Sequence, residues 1–94
     1  MASSTDNGKL SAIELGQAAL TTVEEMTGYR PEAVTALAWD GESWSVTVDA
    51  LELERVPSTT DVLGSYEIQL DEQGTLRGYR RVRRFRRCEA QDDG

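Results

Sequence analysis

"AVTALAWDGESWSVTVDALELERV", residues Ala33 to Val56, is the stretch on which the fold turns. Two runs rich in Val, Trp and Thr flank Asp40-Gly41, a pair that favours the positive φ angles of a tight hairpin, so the segment reads as two antiparallel strands. By the two-residue period of a strand, Trp44, Val46, Val48 and Ala50 share one face. Leu51 and Leu53 have the opposite parity, and a β-bulge or strong twist near Asp49 to Leu51 reconciles them. Pro57 then ends the second strand because it cannot donate to a ladder, and "PSTTD" (Pro57 to Asp61) is a hydroxyl-rich connection.

Toward the C-terminus, "VLGSYEIQLDEQGTLRGYRRVRRF" (Val62 to Phe85) reads as two more strands around the turn "DEQG". Tyr66, Ile68 and Leu70 alternate inward while Glu67 and Gln69 point outward, the pattern of a half-buried sheet. The last segment is irregular. Tyr79, Val82 and Phe85 recur every three residues, which fits neither a regular strand nor a clean helical stripe. A strand with an irregularity or an exposed end is preferred, because a short turn returns the chain antiparallel; a helix is the alternative, since arginine is a good helix former.

Toward the N-terminus lies a helix. Ser11 and Glu14 have the spacing of a capping box, and Leu10 with Leu15 can form a hydrophobic staple around it. Ala12, Ile13, Gly16, Ala19, Leu20, Val23 and Met26 recur at three and four residues as an apolar stripe. Gly28 supplies a left-handed cap and Pro31 stops any continuation. The expected fold class is α+β: one N-terminal helix packed on one face of a four-stranded antiparallel meander. Residues 1 to 9 read as a disordered arm, 10 to 87 as a single domain, and 88 to 94 as an acidic flexible tail.

A chain of 94 residues suits one modest core. Its net charge of -7 is segregated: residues 1 to 76 carry -11, residues 77 to 87 carry +7, and residues 88 to 94 carry -3. No window approaches a membrane span, and the start "MASSTDNGKLSAIEL" lacks a basic leader, so a cytoplasmic protein away from the membrane is expected. There is no histidine, which removes the commonest general base and metal ligand. One cysteine, Cys88, makes no internal disulfide and no thiolate zinc site. It reads as a reduced thiol, with an intermolecular disulfide or a reactive site, activated by Arg86 and Arg87, as the alternative. Glu24-Glu25 and Glu52 to Glu54 read as solvated faces, and no glycine-rich loop joins a strand to a helix. No enzyme, metal site or cofactor is expected.

Six arginines fall within the eight residues Arg80 to Arg87. Three uses compete: pairing with acids such as Glu67, Glu52 or Glu54 across the open face of the sheet while guarding its edge; docking an acidic protein partner; or gripping nucleic acid, which the net charge and the acidic tail oppose.

"LELERVPSTTDVLGSYEIQLDEQGTLRGYRRVRRFRR" (Leu51 to Arg87) resembles the gas vesicle protein O family (GvpO) in its Glu-Arg-Val-Pro element, its Asp-Val-Leu-x-x-Tyr-Glu strand, its Asp-x-x-Gly turn and its final arginine run. "MTGYRPEAV" and "WDGESWSVTV" resemble its first half more loosely. The resemblance implies a non-enzymatic accessory protein of gas vesicle formation, a cytoplasmic assembly or recruitment factor associated with the vesicle through contacts with other gas vesicle proteins, shell or accessory. A nucleic-acid-linked regulator of their production is the alternative, and a homodimer through the last strand a further arrangement. The partner-binding residues expected are Arg77, Tyr79, Arg80, Arg81, Arg83, Arg84, Phe85, Arg86 and Arg87, with "ERVP" (Glu54 to Pro57) as a structural corner.

Overall fold

The computed structural model describes residues 10–91, with side chains as far as Glu89. The N-terminal arm and the last three residues of the expected tail lie outside the described residues. The order of elements is α1 (Ala12–Thr27), β1 (Arg30–Trp39), β2 (Trp44–Leu53), a 3-10 turn (Ser58–Thr60), β3 (Val62–Leu70), β4 (Leu76–Arg86) and α2 (Arg87–Gln91). The four strands form one antiparallel sheet in the order β1-β2-β3-β4, with α1 on one face, the α+β meander that the sequence implies.

α1 begins with a complete capping box: the Glu14 amide donates to Ser11 Oγ at 3.2 Å and the Ser11 amide to Glu14 Oε1 at 2.9 Å. It ends at Gly28, whose φ of 78° only glycine adopts without strain. The buried stripe is Leu15, Ala19 and Val23. This corrects the expected one: Ile13 and Met26 are exposed, and Leu15 is a core residue as well as half of a staple.

The core lies between α1 and the sheet, where Val46, Val48 and Ala50 of β2 and Tyr66, Ile68 and Leu70 of β3 meet Leu15, Ala19 and Val23. Burial of these aliphatic side chains, at roughly 1.5–3 kcal/mol each, is the main force holding the helix to the sheet. Two hairpin turns close the same end of the sheet. In each an aspartate satisfies the turn's amides: Asp40 Oδ1 accepts from Glu42 and Ser43, and Asp71 Oδ1 from Gln73 and Thr75.

The sheet is bulged where the sequence pattern breaks. Leu51 pairs with Leu63 but Leu53 pairs with Val62, so Glu52 is the extra residue, just past the position expected. On β4, Val82 is extra between Arg81 and Arg83, and Arg77 between Leu76 and Gly78. The three-residue spacing is thereby explained: Tyr79 pairs with Ile68, a residue of the α1 face, whereas Phe85 pairs with Leu63 on the opposite face. Leu51, Leu63 and Phe85 form an apolar rung across three strands there, each at most 9% exposed. After β4 the chain turns into the short α2, where a flexible tail was expected. Among the described residues no helix is long and apolar enough to cross a membrane.

Candidate functional site

β4 is an edge strand, and it carries or adjoins all seven arginines of the basic segment. They divide by what they touch. Arg81 and Arg84 turn to the face that carries Tyr66 and Gly64, their register partners, and both reach Glu52. The Glu52 side chain is 3% exposed. Such a carboxylate is tolerable only when its lone pairs are filled, and four contacts from three donor groups fill them. Tyr66 Oη donates at 2.6 Å, Arg81 Nη1 donates to both oxygens at 2.9 and 3.1 Å, and Arg84 Nε lies 3.4 Å away. Gly64 makes the room, because a Cβ there would run into the Glu52 carboxylate. Burial, and then the bond to Glu52, push the Tyr66 hydroxyl far above the ordinary tyrosine value, while that same carboxylate raises Arg81.

Arg87 is a clamp. Its guanidinium bonds Glu32 at 3.1 and 2.8 Å and Asp61 at 3.3 and 3.1 Å, joining the start of β1 to the β2–β3 connection and to α2. The Glu32 contact, above all, raises its pKa. Asp61 also accepts the Arg55 amide at 2.8 Å, the chief cause of its lowered pKa, with Arg87 adding to the effect. The "ERVP" corner is therefore held through the Arg55 backbone. Arg86 is tied to Glu89, which accepts its amide at 2.8 Å and lies 3.3 Å from its guanidinium.

The remaining arginines face outward. Arg80 pairs with its cross-strand neighbour Glu67 at 3.1 Å yet keeps a side chain 72% exposed. Arg83 lies over the Phe85 ring, 4.3 Å from its centroid, a cation–π contact that leaves it without a carboxylate partner among the described residues. Arg77 makes no hydrogen bond or ion pair among the described residues. Tyr79 is 40% exposed and Val82 43%. Beside Tyr79 a depression of about 210 Å³ is lined by Glu67, Gln69, Gly78 and Arg80. Gly78 forms part of it by lacking a side chain: a Cβ there would meet open space, so packing does not demand a glycine.

The structure thus leaves Arg77, Tyr79, Arg80 and Arg83 exposed, with Arg80 and Arg83 on the face opposite α1 and Tyr79 in register with the α1 face, and draws Arg81, Arg84, Arg86 and Arg87 into pairs within the chain. Phe85, expected among the partner-binding residues, is buried and capped by Arg83. The partners Glu32 and Asp61 carry no sequence signal, being distant in the chain; Gly64, an isolated glycine in an alternating strand, was a signal of close approach. Among the described residues no group of three or more acidic or cysteine side chains is placed to hold a metal ion.

The family described as "Gas vesicle synthesis protein GvpO" matches residues 1–91. Curated relatives named Gas vesicle protein O include one from a Streptomyces species, 42% identical over 77 residues, covering 82% of this chain and 60% of the relative. Another, from Haloferax mediterranei, is 34% identical over 71 residues, covering 74% of this chain and 51% of its own length. Gas vesicle protein O1 of Halobacterium salinarum is 30% identical over 70 residues, covering 74% of this chain and 59% of its own. The chain therefore spans only about half to three-fifths of the relatives it matches. No solved structure matches it.

Proposed function

The chain belongs to the GvpO family of gas vesicle synthesis proteins, and on that premise we propose that it is a non-enzymatic accessory factor of gas vesicle formation. It docks an acidic surface of another gas vesicle protein, shell or accessory, through the open part of its arginine strip. The observation that carries this reading is the division of the arginines. Fold stability needs Arg81, Arg84 and Arg87, which hold acids the fold has half or wholly buried. It needs neither Arg77 nor the exposed head of Arg80; Arg80 lines the Gly78 depression and Arg77 precedes that glycine in the chain. Exposed planar guanidinium groups on an edge strand that also carries an exposed tyrosine are the residue types common in docking hot spots.

Co-purification from cells making the whole gas vesicle cluster tests it. The wild-type chain is expected to bring down gas vesicle proteins. The variant R77E/R80E/R83E loses them while its circular dichroism spectrum stays unchanged, and Gly78→Val, which fills the depression, weakens capture. A folded triple variant that still captures its partner reduces the strip to a guard of the sheet edge. Retention of mixed DNA or RNA at roughly 0.15 M salt, where nonspecific phosphate binding weakens steeply, would favour the regulatory role instead.

A further inference from the structure

Among the described residues β1 and β4 are the two edges of the sheet, and they are unlike. β4 carries arginines along its length, a charge that keeps further strands from adding to it. β1 has no charged residue from Ala33 to Trp39, and eight of its ten residues are exposed. Val34 is 37% exposed and Trp39 42%. An edge of that kind is a template for another strand.

The flank of α1 beside this edge is apolar too. A Cβ at Gly16 would lie 3.6 Å from Val34, so that side of the helix turns to β1. Ile13 and Leu20, three residues before and four after, lie with Gly16 on the flank away from Leu15, Ala19 and Val23. Ile13 is 75% exposed.

Opposite charges mark the two ends of the strand. At its start Arg30 is exposed and makes no hydrogen bond or ion pair among the described residues; Asp61, which it influences only through space, is already bonded by Arg87. Glu32 is likewise held by Arg87. Just past its end, Asp40 is bonded by the Glu42 and Ser43 amides and the Ser43 hydroxyl, which hold it ionised without cancelling its charge. A second copy running antiparallel about a two-fold axis at Thr35 sets position 30 of each strand against position 40 of the other, so arginine meets aspartate at both ends. A parallel copy would set like against like.

We infer that β1 and the adjoining flank of α1 form a homodimer interface: β1 adds antiparallel to β1 of a second copy about a two-fold axis near Thr35, Arg30 of each meets Asp40 of the other, and the Ile13 flanks of the two helices meet on one face of the joined sheet. Bulges at Glu32 and Thr35 keep the shared ladder short, so the helix contacts complete it. The outer edges of the dimer are then the two arginine strands, so assembly closes at two copies and leaves both strips open.

Sedimentation of the full chain over a concentration series should show a monomer–dimer equilibrium without larger species, shifting to monomer as salt rises. Thr35→Lys, which sets like charges against each other across the axis, and Ile13→Glu, an exposed change on the helix flank, should each raise the dissociation constant by at least about tenfold. Arg30→Glu should raise it by about threefold. R77E/R80E/R83E should leave it unchanged, which separates this result from the capture assay. In a Cys88→Ser background, Thr35→Cys should cross-link two copies under mild oxidation and Tyr79→Cys should not. A chain that stays monomeric throughout, a dimer indifferent to both Thr35→Lys and Ile13→Glu, or cross-linking at position 79 in place of 35 overturns the inference. So does dimerisation seen only after deletion of residues 1 to 9, which makes the chain's own N-terminal segment the occupant of the edge.

Discussion

At Gly64 one missing side chain makes room for a buried charge. Replacing it with alanine drives a methyl into the Glu52 carboxylate and pulls that group off Tyr66 and Arg81. Gly64→Ala should therefore lose about 1–3 kcal/mol of stability, the usual cost of overpacking, read from the urea midpoint. Tyr66 gives a pH test with a definite sign. Its folded pKa is raised above the ordinary 10.0, so its contribution is complete below about pH 10 and is lost as pH rises beyond it. The wild-type urea midpoint should fall on going from pH 9 to pH 11, on the order of one pKa unit either side of the free tyrosine value, and Tyr66→Phe should flatten that fall. At this scale the sequence was partly legible. The alternation of Tyr66, Ile68 and Leu70 placed the ring inward, but Glu52 read as a solvated strand residue, because a bulge one position long decides which way it points.

Elements were easier to read than their orientation. The helix, its capping box, its glycine cap and four strands all follow from local patterns that act within a few residues. Which side of α1 faces the sheet does not, since Leu15 and Ile13, about 200° apart around the axis, are both aliphatic. Packing in the core with the buried residues of β2 and β3 decides for Leu15. Leu15→Ala should accordingly cost about 2–5 kcal/mol, whereas Ile13→Ala should stay within about 0.5 kcal/mol, both measured by urea unfolding. On β4 the bulge at Val82 lets one strand serve two faces, sending Arg81 and Arg84 to Glu52 and Arg80 and Arg83 to the open face. Reversal of the first pair, R81E/R84E, should lower the urea midpoint far more than R77E/R80E, because it leaves the buried Glu52 carboxylate facing like charge. The sequence held the arginine run in plain view but not its division, which depends on the register of three strands at once.

Over the whole molecule, acids of residues 1 to 76 reach forward to arginines of β4 and α2: Glu32 to Arg87, Glu52 to Arg81 and Arg84, Glu67 to Arg80. Charge segregated along the sequence is thus paired in space among the described residues, tying β1, β2 and β3 to β4 and α2. Asp40, Asp61 and Glu89 all have folded pKa values below their ordinary ones, each through a backbone amide bond first. Their contribution is present above the ordinary carboxylate range of about 4 and is lost as pH falls through the lowered folded values. The urea midpoint should therefore hold steady down to about pH 5 and drop below pH 4. Among the described residues Arg77 and Arg83 make no ion pair and the head of Arg80 stays exposed, and under the proposed function these three are the surface offered to a partner. Arginine modification by phenylglyoxal, mapped by mass spectrometry on the free chain and on the co-purified complex, measures that availability directly. The account predicts fast modification of Arg77, Arg80 and Arg83 in the free chain, protection of these three in the complex, and slow reaction of Arg81 and Arg87 in both; Arg77, Arg80 and Arg83 reacting as fast in the complex as in the free chain would contradict it.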